Sequence, residues 1–323
     1  MRTLSGVGFP AIDVSRRVRL LAAFAAVYVL WGSTYLAIAL GLRSIPPLLL
    51  MGARSVIGGA ILLGAVALSG SGPPRQDAWL PALAGGLQLF VGCHGTLAYV
   101  QRQVPSGVAA LVLATVPFWL VLLDILIPGG ERRSPWILAG LLPGLAGVAL
   151  IAWGGHGLGA PQLSPMMALL LLAAALSWAG GTIVSKRLGA RTPAALLGGM
   201  QLVCGGAVLL ILGVFAGELS QLSPRAISGA SWFGLIYLAI AGSVVAFTAY
   251  IWLLERVPAP LVATYTFVNP IIAVVLGSAL LGEQLTTRAL SGSVLVIGSV
   301  IAVWCFDRAA KTLRQSPRTP GDT

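Results

Sequence analysis

The chain has 323 residues, of which 57% are hydrophobic and only 9% charged, and its net charge is +11. A water-soluble domain carries about 25% charged residues, so an ordinary soluble globular fold is excluded. The lysines and arginines are scattered through short loops and tails instead of gathered on one face, which excludes a clustered nucleic-acid-binding surface.

Residues 1–19 contain four arginines, an acid and no sustained apolar core, and read as a cytoplasmic tail, not a signal peptide. Ten apolar runs follow, near residues 20–40, 47–69, 79–99, 105–127, 135–153, 166–186, 193–215, 232–253, 259–281 and 289–306. Each is close to the roughly 20 residues that a helix needs to cross a hydrocarbon layer. The fold class expected is therefore an all-α integral membrane protein with ten transmembrane helices.

The first run carries Phe24, Tyr28, Trp31 and Tyr35 on one helical stripe. Such a stripe serves as packing or an interfacial belt, or, at the deeper Trp31 and Tyr35, as the wall of a solute site. In the second run Arg54 lies eight residues past Pro46, about 12 Å into the span. It either faces a cavity and attracts a carboxylate, makes a structural bond, or snorkels to the surface on its long stem.

His94, in the third run, shares a stripe with Leu87, Val91, Ala98 and Gln101, while His156 falls in the loop GGHGLGA. An ionisable group at membrane depth is a candidate functional residue, able to donate a hydrogen bond or to titrate near neutral pH. The competing role is a neutral ring bonded to a neighbouring helix. Pro117 and Pro270 each lie 12 residues past an earlier proline, Pro105 and Pro258, which places both near the bilayer midplane. They cannot donate to the carbonyls of Leu113 and Thr266, so both are expected to kink their spans beside one site. Beside Pro270, Asn269 offers an amide and Tyr265 a hydroxyl and a ring, either to a solute or as interhelical glue.

The interior is poor in carboxylates. Asp124 lies late in the fourth run, and Glu131, Glu255 and Glu283 sit at helix ends. A proton-driven exporter of cationic drugs needs a buried acid that trades protons for substrate, and none is well placed. No GxxxxGK[ST] sequence supports ATP coupling or implies an ATPase subunit. Cys93, Cys204 and Cys305 fall inside spans without CxxC spacing, and no HExxH occurs, so neither metal, cofactor nor disulfide is expected.

The chain is internally doubled. A shift of 147 pairs Trp31 with Trp178, Pro46 with Pro193, Gly52 with Gly199, Arg54 with Gln201, and Gly58-Gly59 with Gly205-Gly206. A shift of 153 pairs Val104-Pro105 with Val257-Pro258, Ala110 with Ala263 and Pro117 with Pro270. Gly130-Glu131 pairs with Gly282-Glu283, and Gly147 and Trp153 with Gly298 and Trp304. Five spans per copy is an odd number, so the second copy enters the membrane inverted, an arrangement suited to alternating access at a site between the repeats. The expected divisions are repeats at 20–153 and 166–306, a linker loop at 154–165, and a C-terminal tail at 307–323. With the N-terminus cytoplasmic, fifteen basic residues fall on the cytoplasmic side and four, Arg43, Arg102, Arg225 and Arg288, on the other. By the positive-inside rule both termini are cytoplasmic.

WGSTY at 31–35, PPLLLMGAR at 46–54, VPSGVAALVLATVP at 104–117 and ATYTFVNPIIAVVLG at 263–277 resemble the EamA branch of the drug/metabolite transporter superfamily. The likeness spans residues 20–306. It implies ten helices, two EamA repeats and an inner-membrane carrier, often an exporter of amino acids or other metabolites. In related amino acid exporters the third, fourth and sixth spans contribute to the cavity, which singles out His94 and Trp178. Relatives carry a small polar pattern where this chain has His94, a departure that bears on substrate identity.

Together these readings predict a secondary transporter or facilitator of small metabolites, foremost an amino acid exporter. Its partners would be a small-molecule substrate and membrane lipid, with no nucleic acid. The alternatives are an exporter of lipophilic drugs and an intramembrane enzyme. The sequence gives no oligomeric state.

Overall fold

A computed structural model describes residues 14–70, 73–127, 142–152, 163–189, 191–254, 256–257, 262, 265–283 and 287–315, and every regular element among them is helical. The tails, most of the linker, His156, Glu131, Glu255 and Pro258, and the side chains of Asp124, Trp153 and Trp304, lie outside the described residues.

The helices in chain order are α1 (Val14–Gly41), α2 (Pro47–Leu68), α3 (Gln76–Gln101), α4 (Ser106–Leu113), α5 (Val116–Leu126), α6 (Leu142–Ala152), α7 (Pro165–Leu188), α8 (Ala194–Phe215), α9, α10 (Tyr265–Leu281) and α11 (Thr287–Gln315). Helix α9 runs through Gly229–Tyr237, Leu238–Val245 and Ala246–Leu254. Seven stretches are long and apolar enough to cross a membrane: Arg16–Gly41, Pro47–Leu68, Gln76–Gln101, Ser106–Leu123, Pro165–Leu188, Ala194–Phe215 and Gly229–Leu253. Val268–Leu281 and Leu290–Ser299 are apolar but shorter. Helices dominate because lipid offers no partner to an exposed backbone N–H or C=O.

Two departures from regular α-helix matter. Leu87–Gly95 of α3 and Leu238–Val245 of α9 are π-helical, a wider turn in which the backbone bonds five residues back. The fourth span, expected to be kinked at Pro117, turns at Ala114–Thr115, directly after Leu113. There Thr115 N–H bonds to Val112 O at 3.1 Å and its hydroxyl donates to the same carbonyl at 2.7 Å. Pro117 sits in the first turn of α5, where a missing N–H costs nothing. Pro270, by contrast, lies inside the continuous helix α10.

Contacts between the two halves of the chain come in exchanged pairs. Helix α1 packs on α9 and α10, and α7 packs on α3, α4 and α5; α2 meets α9, and α8 meets α3. The pairs α2 with α8, α4 with α10 and α6 with α11 map onto themselves. The α2–α8 crossing is close because glycine occupies it. A Cβ on Gly59 would come within 2.9 Å of Gly199 O, and one on Gly206 within 2.8 Å of Val56 N. The helix ends repeat too: Gly70 after α2 and Gly217 after α8, again 147 apart, take φ of 79° and 74°, open to glycine without strain.

At the face where α1 ends and α2, α4 and α9 begin, polar side chains tie the halves together. Prolines precede α2 and α4 and offer no capping oxygen, so distant carboxylates take that place. Glu218 accepts from Leu48 N–H at 3.3 Å and Leu49 N–H at 3.0 Å. Glu283 accepts from Ser106 N–H at 2.8 Å and Gly107 N–H at 3.2 Å. Ser44 Oγ donates to Ser231 Oγ at 2.8 Å and accepts from Ser228 N–H at 3.0 Å.

Candidate binding site at an aromatic centre

Five helices bring aromatic rings together inside the bundle, with Trp31 of α1 as the hub. Its ring centroid lies 4.9 Å from Tyr265 of α10, 5.0 Å from Tyr250 of α9 and 6.4 Å from Trp178 of α7. Trp178 in turn lies 5.2 Å from the His94 ring in the π-helical stretch of α3, and His94 lies 5.4 Å from Phe90. Edge-on and tilted arrangements dominate, as the quadrupoles of aromatic rings favour. The Trp31 indole N–H donates to Gly242 O at 3.0 Å, satisfying a carbonyl in the π-helical stretch of α9.

Trp31, Tyr35, His94, Trp178, Tyr250 and Tyr265 are all only partly buried, whereas Arg54 and Asn269 beside them are 4% and 7% exposed. The aromatic residues thus keep some accessible surface, while Arg54 and Asn269 keep almost none. Aromatic walls with a few placed polar groups are what sites for organic solutes are commonly built from.

Arg54 does not snorkel. Its guanidinium turns inward, and Nη2 lies 3.1 Å from His94 Nδ1. Its repeat counterpart Gln201 makes an analogous polar tie one helix pair away, donating from Nε2 to Ser185 Oγ at 2.7 Å. Asn269 is placed as an interhelical bridge. With its amide nitrogen facing the neighbouring carbonyls it donates to Tyr265 O at 3.2 Å and Tyr28 O at 3.1 Å, tying α10 to α1. Tyr35 stands one turn beyond Trp31, packed against the main core, with its carbonyl accepting from Gln101 Nε2 at 3.2 Å. Pro117 lies in the first turn of α5 and Pro270 inside α10.

The sequence reading missed Tyr250, Phe90 and Gly242. Tyr250 pairs with Tyr99 at a shift of 151, within Ala249-Tyr250-Ile251 and Ala98-Tyr99-Val100, a block that the repeat pairing above did not include. Gly242 contributes through its carbonyl, which no side-chain pattern reports. Among the described residues no group of three or more His, Cys, Asp or Glu side chains is placed to hold a metal ion.

The profile of the EamA-like transporter family matches residues 19–153 and 165–305. An inner membrane transporter of Escherichia coli K12 described as uncharacterized, YedA, is 37% identical over 270 residues, covering 83% of this chain and 84% of that protein. A probable amino-acid metabolite efflux pump of Salmonella typhimurium LT2 is 30% identical over 301 residues, covering 90% and 96%. A crystal structure with 22% identity superposes with a TM-score of 0.63 over 90% of this chain and 99% of the other, a likeness of fold alone.

Proposed function

The chain belongs to the EamA-like transporter family, and on that footing we propose that it exports small amphipathic metabolites, amino acids foremost, by alternating access at the aromatic centre. Family membership and the run of apolar helices make it a multi-pass membrane transporter. The inner membrane is its proposed location, with both termini on the cytoplasmic side as the arginine distribution favours.

The proposed architecture is ten spans in two inverted repeats, at 20–153 and 166–306. The exchanged helix contacts support it, since α1 stands to α9 and α10 as α7 stands to α3, α4 and α5. Two copies inserted in opposite senses generate such pairing, and the site between them can be offered to either face.

The observation that carries the reading is the convergence of Trp31, His94, Trp178, Tyr250 and Tyr265 from five helices on one partly accessible centre. Purified protein in liposomes, loaded with labelled neutral amino acids, is expected to release or exchange them faster than empty liposomes. A broad metabolite panel in which nothing moves faster than the control overturns the reading.

A further inference from the structure

Resting on the transport reading, we infer that Arg54 and His94 form the anion-recognising end of the site. Arg54 is a positioning residue that holds His94 with Nε2–H free to meet a carboxylate, and the Trp31–Trp178 rings take the solute's apolar body.

The argument begins with valence. A guanidinium carries donors and no acceptor, so the 3.1 Å contact between Arg54 Nη2 and His94 Nδ1 requires a lone pair on Nδ1. The imidazole is then neutral and its one N–H is on Nε2, an assignment that follows from the partner and not from a visible proton. His94 is partly accessible while Arg54 behind it is buried. The exposed part of this pair is thus the histidine, and what it offers is a donor.

Charge completes the picture. Arginine stays protonated in proteins, and Arg54 Nε is buried without a hydrogen-bond partner. Among the described residues the only carboxylate ion-paired to a base is Asp77, with Arg75 in an exposed loop; none reaches Arg54. A buried cation without a counter-ion is costly, and an anion arriving beside it relieves that cost. The same field repels an amine. A solute with a carboxylate and an aromatic or aliphatic body fits both the charge at one end and the rings beside it. Discrimination of this kind is strong because an analogue without the charge leaves the buried donors unpaired.

The test uses three probes with one body: 3-phenylpropanoate, 3-phenylpropanamide and 3-phenylpropylamine. Their binding to purified protein in nanodiscs is read by thermal shift and tryptophan fluorescence, neither of which requires transport. The expected result is carboxylate binding at least tenfold tighter than the amide, with the amine weakest. Arg54→Gln should bring the carboxylate-to-amide ratio close to one, and Arg54→Lys, which keeps a charged donor, should restore much of it. His94→Gln, which keeps a donor without needing a tautomer, should retain part of the preference and serves where Arg54→Gln fails to fold. Equal affinities for the three probes, no binding of any, or a ratio unchanged in Arg54→Gln overturns the inference. A uniform loss of affinity for all probes in Arg54→Gln does the same, because that is the signature of a merely structural arginine. The liposome panel is scored separately, so a protein that moves metabolites without preferring the carboxylate refutes this assignment and leaves transport standing.

Discussion

The indole N–H of Trp31 in α1 donates to the carbonyl of Gly242 in the π-helical stretch of α9 at 3.0 Å, across 211 residues of chain. A single side chain thereby holds a ring at the centre of the proposed site and satisfies irregular backbone in the opposite half. Trp31→Phe keeps most of the ring and removes the donor. Leaving a buried acceptor unmet costs about 1–3 kcal/mol, so the thermal midpoint should fall and exchange should slow. An unchanged midpoint by differential scanning fluorimetry would show that this bond stabilises nothing.

Asn269 separates packing from recognition. Its amide bridges Tyr28 O and Tyr265 O, so Asn269→Ala is expected to loosen the α1–α10 seam by about 1–2 kcal/mol. Substrate KM should change less than twofold at matched expression. A normal midpoint with a much-raised KM would instead return Asn269 to the solute.

The two prolines should respond differently. Pro270 lies inside α10, and Pro270→Ala supplies an N–H that the helix can use. The variant should be more stable and transport more slowly, because alternating access needs two packings of similar energy. Pro117 occupies the first turn of α5, past a turn already made at Ala114–Thr115. Pro117→Ala is expected to shift the midpoint little. Equal effects from the two variants in paired melting and exchange assays would contradict this asymmetry.

Glycine contacts give a third comparison. A Cβ on Gly205 would lie 2.5 Å from Gly86 O and 2.8 Å from Phe90 Cβ, while one on Gly64 meets nothing within 4 Å. Gly205→Ala should cost about 1–3 kcal/mol through overpacking, whereas Gly64→Ala should be neutral or gain up to about 1 kcal/mol from helix propensity. Urea or heat melts of the two variants, side by side, check the sign.

Glu283 is the fifth target. Its two oxygens accept from Ser106 and Gly107 N–H groups at the start of α4, a position where negative charge is favoured by the helix dipole. Glu283→Gln is expected to cost about 0.5–2 kcal/mol. It should also raise the labelling of a single cysteine placed near residue 106 by an impermeant thiol reagent. Unaltered labelling would mean that the contact does not hold that face together.

How far the sequence foretold this depends on what each feature is made of. The doubling was readable because prolines, glycines and the Trp31/Trp178 pair mark equivalent places, and the two indoles do meet, 6.4 Å apart. The Arg54–His94 bond joins α2 to α3 across 40 residues, and helical stripes within one span say nothing about which neighbour a side chain turns toward. Snorkelling was therefore as compatible with the sequence as the inward turn. The π-helical stretches were invisible for a deeper reason. LQLFVGCHG contains no proline, and a widened turn persists where neighbours satisfy the displaced carbonyls, as Trp31 does for Gly242. At Pro117 the residue alone does not say whether proline bends a helix or begins one, and the Thr115 bonds to Val112 place a turn just before it.

The ties from Glu218, Glu283 and Ser44 all cluster at the face where α1 ends and α2, α4 and α9 begin. In a carrier that alternates, contacts made in one state and broken in the other set the odds of finding it empty in each. Three such ties at about 1 kcal/mol each favour the state sealed at that face by roughly a hundredfold. Under the proposed alternating access, unloaded molecules would wait with the aromatic centre turned toward the opposite solution, the side that holds the basic tails in the proposed topology. A solute on that side meets a vacant carrier at nearly every encounter, whereas one on the sealed side must wait for a rare opening. At equal concentrations on the two sides this bias moves no solute on balance, because it alters the rates in both directions alike; what the serines and glutamates at the rim would set is which face a vacant carrier offers.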